Sequence, residues 1–231
     1  MFRLKGNFVQ CLMPNKTYGQ LCPIARSLDV LGDRWTLLLI REFLLGPKRF
    51  KELLATLPAM GPNRLSERLA MLVENGVIRQ TMQGTLPATP AYELTELGEQ
   101  LRKPLISLGF WGLSLPVDER IDPSSARAEL IALCLTGSND PVASAGLRES
   151  YEFQVGTEVF HIQVDNGTLL ARSGPSAEPA DVKIQCDIET FIALALRELS
   201  PSRALRERRA TLLQGDRPAF TRVFNVLEYK P

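Results

Sequence analysis

Residues 47–83 read PKRFKELLATLPAMGPNRLSERLAMLVENGVIRQTMQ, and their periodicity decides the fold of the first half of the chain. Phe50, Leu53, Leu54 and Leu57 share one side of a short amphipathic helix. Pro58 to Pro62 breaks it as a turn. Leu65, Leu69, Leu72 and Val73 then form an i, i+4, i+7, i+8 stripe, so a second helix runs from about Pro62 and stops at Asn75-Gly76. Val77 to Thr81 reads as a strand, Gln83-Gly84 as a turn and Tyr92 to Leu94 as the returning strand. Upstream, Ile24, Leu28 and Leu31 give a helix that starts at Pro23 and stops at Gly32. Asp33 is placed to cap the next helix, which carries Trp35, Leu38, Leu39 and Phe43 and ends at Gly46-Pro47. Downstream, Thr95 starts a long helix with Leu97, Leu101, Leu105 and Leu108, which Pro104 should kink. Residues 1–21 have no clear period and read as an arm.

A helix-turn-helix followed by a two-stranded hairpin is a winged helix, whose second helix enters the major groove of DNA. The apolar stripe of that helix must face the core. The other side then presents Asn63, Arg64, Glu67 and Arg68, with Ser66 at the margin. Arg can read guanine and Asn adenine through paired hydrogen bonds. Lys48, Arg49 and Lys51 open the preceding helix, where they suit phosphates, and Arg79 and Gln83 belong to the wing. The competing reading is that basic residues on an amphipathic helix are a solvated face.

Charge divides along the chain. Residues 1–115 carry 14 Lys and Arg against 9 Asp and Glu, a net of +5, whereas residues 116–231 carry 13 against 17, a net of −4. A basic half can meet a polyanion through long-range attraction.

Residues 22–112 are similar to the HxlR-type family of bacterial winged-helix transcription regulators. The matching stretches are CPIARSLDVLGDRWTLLLIREFLLGPKRFKEL, LSERLAMLVENGVI, YELTELGEQL and GFWG. The resemblance implies a homodimer that holds double-stranded DNA with two winged-helix units. It also implies dimer contacts from the N-terminal segment and from the last helix of this domain, about Thr95 to Leu113. Two stretches depart from the pattern. Gly61 takes the cap position before the recognition helix, where family members usually have Ser or Thr. The wing, TMQGTLPATPAYELT, has only Arg79 as a nearby basic residue. Cys22, just before a helix, has two readings. In several relatives the Cys before Pro is a redox or electrophile sensor, and a helix N-terminus favours a reactive thiolate. Otherwise Cys22 is a small hydrophobe. Cys11 lies in the arm, and Cys134 and Cys186 read as core positions.

The second half changes period. PVDERID, residues 116–122, reads as a linker, and Ala126 to Leu135 as an apolar helix. Phe153 and Val155 alternate with polar residues, as do Phe160, Ile162 and Val164, and Asp165-Asn166-Gly167 is a hairpin turn. Val182, Ile184 and Cys186 form another alternating strand. Asp187 caps a helix with Phe191 and Leu194, Ser202 to Arg209 is helical, and Thr211 to Leu213 is a last strand. Asp216 starts a final helix with Phe220, Val223, Phe224 and Leu227. The expected layout is α+β with an antiparallel sheet. FHIQVDNGTLLAR, ADVKIQCDIETFIAL and LLQGDRPAFTRVFNVL give this half, about 148–229, a resemblance to the sterol-carrier-protein-like fold. That resemblance implies a small apolar ligand beside the sheet. The alternative is that the same residues simply fill a core. The single His, His161, is expected on the outer strand face. The run RALRERR, Arg203 to Arg209, is either an anion patch or a solvated helix face.

Three domains follow: 1–115, winged helix and dimerisation; 116–147, linker and connecting helix; 148–231, sterol-carrier-protein-like. The chain has no phosphate-binding Gly loop, nucleophile elbow or metal-ligand spacing, so an enzyme, a metal site and a cofactor are not expected. No apolar run approaches a membrane span, and four Cys give no disulfide framework, so a cytoplasmic protein is expected. Two functions stand. One is a sequence-specific DNA-binding regulator. The other is an apolar-ligand module whose winged helix serves dimerisation or protein interaction.

Overall fold

A computed structural model describes residues 17–84, 88–138, 142 and 144–227 of the 231. The chain divides into two compact units, Met1–Arg102 and Lys103–Pro231, each described by itself. Cys11, the rest of the arm to residue 16 and the wing residues 85–87 lie outside the described residues.

The first unit opens with α1, Pro23–Leu31, whose N-cap is Cys22 and whose first helical residue is Pro23. Proline costs nothing there, because its missing N–H would be unpaired anyway. In α2, Thr36–Leu44, the N-cap is Trp35 rather than Asp33. Asp33 instead forms a turn ahead of the helix. Its carboxylate accepts the Trp35 N–H at 3.0 Å and its carbonyl accepts the Thr36 N–H at 3.1 Å. Next come α3, Phe50–Thr56, a 3₁₀ turn at Pro58–Met60, and α4, Pro62–Glu74. Leu53, Leu65, Leu69 and Leu72 are fully buried with Leu39, Ile40, Phe43 and Leu44 of α2, so the leucines of the stripes face one core, whereas Val73, read as part of the α4 stripe, lies at its edge and is exposed. The hairpin pairs β1, Ile78–Gln83, with β2, Thr89–Leu94, in the register Ile78↔Leu94 to Gln83↔Thr89. Helix, helix, turn, helix and hairpin make a winged helix-turn-helix.

The long helix expected from Thr95 is two helices, α5, Glu96–Glu99, and α6, Arg102–Leu113. Pro104 is the cause. It has no N–H to give the Gln100 carbonyl, so the ladder breaks there and Pro104 falls in the first turn of a new helix. The Thr95 hydroxyl caps α5 by accepting the Gly98 N–H at 3.2 Å.

The second unit holds α7, Ala128–Leu135, and a five-stranded sheet. Its strands are β3, Arg148–Val155; β4, Glu158–Asp165; β5, Thr168–Ser173; β6, Val182–Cys186; and β7, Ala210–Gln214. The spatial order is β5-β4-β3-β6-β7. The expected antiparallel sheet needs one correction, because β3 and β6 run parallel, Tyr151↔Val182 to Val155↔Cys186. A tight hairpin can join only antiparallel neighbours. Here β4, β5 and residues 174–181 intervene, which is the longer crossover that a parallel pair requires.

The helices α8, Ile188–Ala195; α9, Pro201–Arg206; and α10, Arg217–Val226, complete the unit. Asp187, Ser200 and Asp216 cap them, each side chain accepting a backbone N–H three residues on. Phe153 is the hub of the core. Its ring stacks on Phe160 at 5.2 Å between centroids and meets Phe191 and Phe224 edge-on at 5.5 and 6.1 Å. Arg222 of α10 ties that helix to β3 through two bonds to Glu149, Nε to Oε2 at 2.9 Å and Nη2 to Oε1 at 2.5 Å. The Tyr151 hydroxyl also donates to Glu149.

Candidate nucleic-acid interface

The recognition-type helix α4 is fixed from below by Leu65, Leu69 and Leu72 and begins directly after Gly61. Gly61 has φ +75° and ψ 153°, a conformation open almost only to glycine. This explains the departure at the cap. The chain enters α4 along a path that a Ser would adopt only under strain. Gly61 supplies no capping side chain, so its conformation, not a hydroxyl, sets the start of the helix.

Asn63, Arg64, Ser66 and Glu67 are exposed, as the stripe predicts. Arg68 is not among them. It is half-buried at the flank, with Nη2 3.7 Å from Asp33 Oδ2 in the turn between α1 and α2. The exposed face is not purely basic, because Glu67, Ala70 and Glu74 share it.

Lys48, Arg49 and Lys51 stand at the start of α3, with Lys51 exposed and Lys48 and Arg49 half-buried. Lys48 exchanges two backbone hydrogen bonds with Tyr92, each 2.9 Å, so the entry to α3 runs beside β2. The Arg49 guanidinium lies against the end of β1, Nη2 reaching 3.5 Å from the Gln83 carbonyl. Glu52 accepts the Arg49 N–H at 2.6 Å, the acidic half of a capping box. Arg79 is largely exposed, but its charge is met across the hairpin by Glu93 at 2.8 Å. Gln83 is half-buried. The structure thus brings Lys48, Arg49 and Gln83 to one junction between α3 and the wing. Sequence reasoning missed Tyr92 as the strand partner in that junction. It lies 44 positions from Lys48, and no local signal marks such a pairing.

Cys22 is exposed at the N-terminus of α1. Cys186 is buried, and that burial pushes its thiol up to about 12. Cys134 is half-buried rather than a full core position. His161 is on the opposite face of β4 from Phe160 and Ile162 but is buried, not exposed, with Nδ1 2.9 Å from the Gly174 carbonyl. The chain crossing from β5 to β6 covers it, which strand alternation alone does not foretell. Among the described residues no cluster of His, Cys, Asp and Glu has a metal-binding arrangement, and no helix is long and apolar enough to cross a membrane.

Comparison with known proteins places these features. The model of the HxlR-like helix-turn-helix matches residues 30–118, and that of the SCP-2 sterol transfer family matches residues 132–228. The chain belongs to the HxlR-like helix-turn-helix family. The uncharacterised HTH-type transcriptional regulator YvaP of Bacillus subtilis is 34% identical over 106 residues, which are 46% of this chain and 94% of YvaP. The HTH-type transcriptional regulator YodB of the same organism is 35% identical over 92 residues, 39% of this chain and 82% of YodB. An uncharacterised HTH-type regulator of Mycobacterium tuberculosis is 39% identical over 89 residues, 38% of this chain. The chain spans about half of that relative's length, 56%. The solved reduced form of YodB is 33% identical, and its match covers 43% of this chain and all of that one with a TM-score of 0.37.

Proposed function

We propose that this chain is a sequence-specific transcriptional regulator that binds double-stranded DNA as a homodimer in the bacterial cytoplasm. The observation that carries the reading is the pair Asn63 and Arg64. Both are exposed in the first turn of a helix whose opposite side is locked into the core. Side chains in that turn of a recognition helix reach base edges. Lys51 and the junction of Lys48 and Arg49 with the wing supply phosphate contacts that set register. Ser66 and Glu67 border the base-reading turn, while Arg68 acts through Asp33 rather than at a base. Two unburied apolar faces support a dimer, and each lies on an element that the family resemblance assigns to it. On α1, Ile24 is 70% exposed and Leu28 43%. On α6, Trp111 is 61% exposed, with Leu108 and Leu113 also exposed. Faces of this kind mark interaction surfaces. The reading is of a regulator and not an enzyme.

The test is binding of the purified protein to the DNA upstream of its own gene and to a scrambled duplex, at two salt concentrations. Tighter binding to the upstream fragment that persists at the higher salt is the expected result. Equal binding to both, steeply weakened by salt, reports phosphate attraction alone and refutes specific recognition at that fragment. A second reading, ligand holding by the C-terminal unit, draws support from the SCP-2 match.

A further inference from the structure

The phenylalanine cluster of the second unit bears on where a ligand would sit. Phe153, Phe160, Phe191, Phe220 and Phe224 are all buried and pack ring on ring behind the sheet. An apolar guest there would have to displace side chains already in contact. The exposed end of the same sheet is different. Leu205, Arg208, Ala210, Thr211, Leu212 and Arg217 line a surface groove of about 320 Å³ between the end of α9, the edge strand β7 and the start of α10.

We propose that this groove is a binding site for a small amphiphilic anion, a carboxylate or phosphate ester carrying a short apolar chain. Its volume is at the small end of the range for organic ligands. Two arginines from separate elements line it, and no ion pair among the described residues involves Arg208 or Arg217. Two of the neighbouring charged side chains have partners of their own. Arg203 pairs with Glu207 at 2.7 Å, and the Asp216 carboxylate accepts the Ala219 N–H at 2.7 Å as the cap of α10. Leu205 and Leu212 are half-buried and Ala210 is buried, which gives the groove apolar surface beside the two cations. Arg217 is the first residue of α10, where the helix dipole adds partial positive charge.

The turn that ends α9 brings Arg208 into the groove lining. Arg208 has φ +57°. It ends α9 in a Schellman turn, with the Arg209 N–H on the Ala204 carbonyl at 2.9 Å and the Arg208 N–H on the Leu205 carbonyl at 3.3 Å. The same left-handed turn ends α8 at Arg197, so it is a helix stop that glycine would also fill, and Arg208→Gly removes the guanidinium while keeping the backbone path. Nucleic acid is the less fitting anion. Residues 116–231 carry a net charge of −4, which repels an extended polyanion, while a concave site focuses attraction on a small one. The site rests on the reading of the C-terminal unit as a ligand-holding module and is independent of DNA recognition by α4.

The test uses the full-length protein, with hexanoate, hexyl phosphate, inorganic phosphate and a random-sequence duplex as probes. Amide shifts in ¹⁵N–¹H spectra locate binding, and binding of wild type and variants to the upstream duplex is followed in parallel. The expected result is that hexanoate or hexyl phosphate perturbs Leu205, Thr211 and Leu212 at millimolar concentration. Inorganic phosphate should bind at least tenfold more weakly. Arg208→Gly and Arg217→Gln should each weaken probe binding at least tenfold and leave affinity for the upstream duplex unchanged. Arg208→Gly should also raise Tm, which shows that lost binding is not lost folding. The proposal is overturned if neither organic probe perturbs those residues, if inorganic phosphate binds equally well, or if the substitutions leave probe affinity intact. It is also overturned if the random duplex shifts these amides at lower concentration than either organic probe, which would reassign the groove to nucleic acid.

Discussion

Replacing Gly61 by Ser would restore the hydroxyl that family members usually carry before the recognition helix, and it should nevertheless destabilise that helix. Two effects compete. A Ser at the N-cap improves on Gly by only a few tenths of a kcal/mol. Against this stands the backbone at φ +75° and ψ 153°, where a non-glycine residue costs about 1–3 kcal/mol. Crowding adds nothing, since a Cβ at Gly61 would meet no atom within 4 Å. The cost is therefore conformational, and the net loss is about 1–2 kcal/mol. Native-state hydrogen exchange is the assay, because it reads α4 without interference from the second unit. Amides of Leu69 and Leu72 should exchange roughly tenfold faster in Gly61→Ser, since about 1.4 kcal/mol is tenfold in an equilibrium. Unchanged or slower exchange would refute the argument, because it would mean that the entry to α4 relaxes freely and that the hydroxyl, not the glycine backbone, is the better start.

Four further outcomes follow from the geometry. Arg64→Ala should weaken specific DNA binding by about 1–3 kcal/mol while sparing scrambled DNA, and an equal loss on both in a filter-binding titration would make Arg64 a phosphate contact. Phe153→Ala removes the hub of the aromatic core and should cost about 3–5 kcal/mol in urea denaturation; a cost below about 1 kcal/mol would mean the interior is loosely filled and open to a guest. Hydrogen bonds from the Arg222 guanidinium, with the Tyr151 hydroxyl adding to them, hold the Glu149 carboxyl below its ordinary value of 4.5. The stability this gives is complete above that pH and is lost as pH falls through the lowered folded value, so Glu149→Gln should flatten the acid limb of a Tm-against-pH curve. A thiol reagent near neutral pH should label the exposed Cys22 quickly and spare the buried Cys186, and comparable labelling of both in the native protein, read by peptide mass spectrometry, would contradict their placement.

The helices and strands were legible because each is governed by local rules. The stripe Leu65, Leu69, Leu72 needs only the 3.6-residue period, and Asp187 and Asp216 cap helices through bonds three residues long. The exposed first turn of α4, with Asn63 and Arg64, was legible for the same reason, since one side of a helix must be outside when the other is inside. What escaped lay between elements distant in sequence. Arg68 turns toward Asp33, Lys48 pairs with Tyr92, and β3 lies parallel to β6, and none of these has a local cause. The start of α7 is the clearest case. Arg127 offers no capping side chain, and the carboxylate of Glu158, 30 positions away on β4, accepts the Ala128 and Glu129 N–H groups at 3.1 Å each. The sequence by itself determined which segments are helix or strand and which face of each is apolar, because those depend on spacing along one chain. Only the tertiary structure decided which charges pair, which caps are borrowed and which arginines are left facing a groove, because those depend on what folding brings beside them.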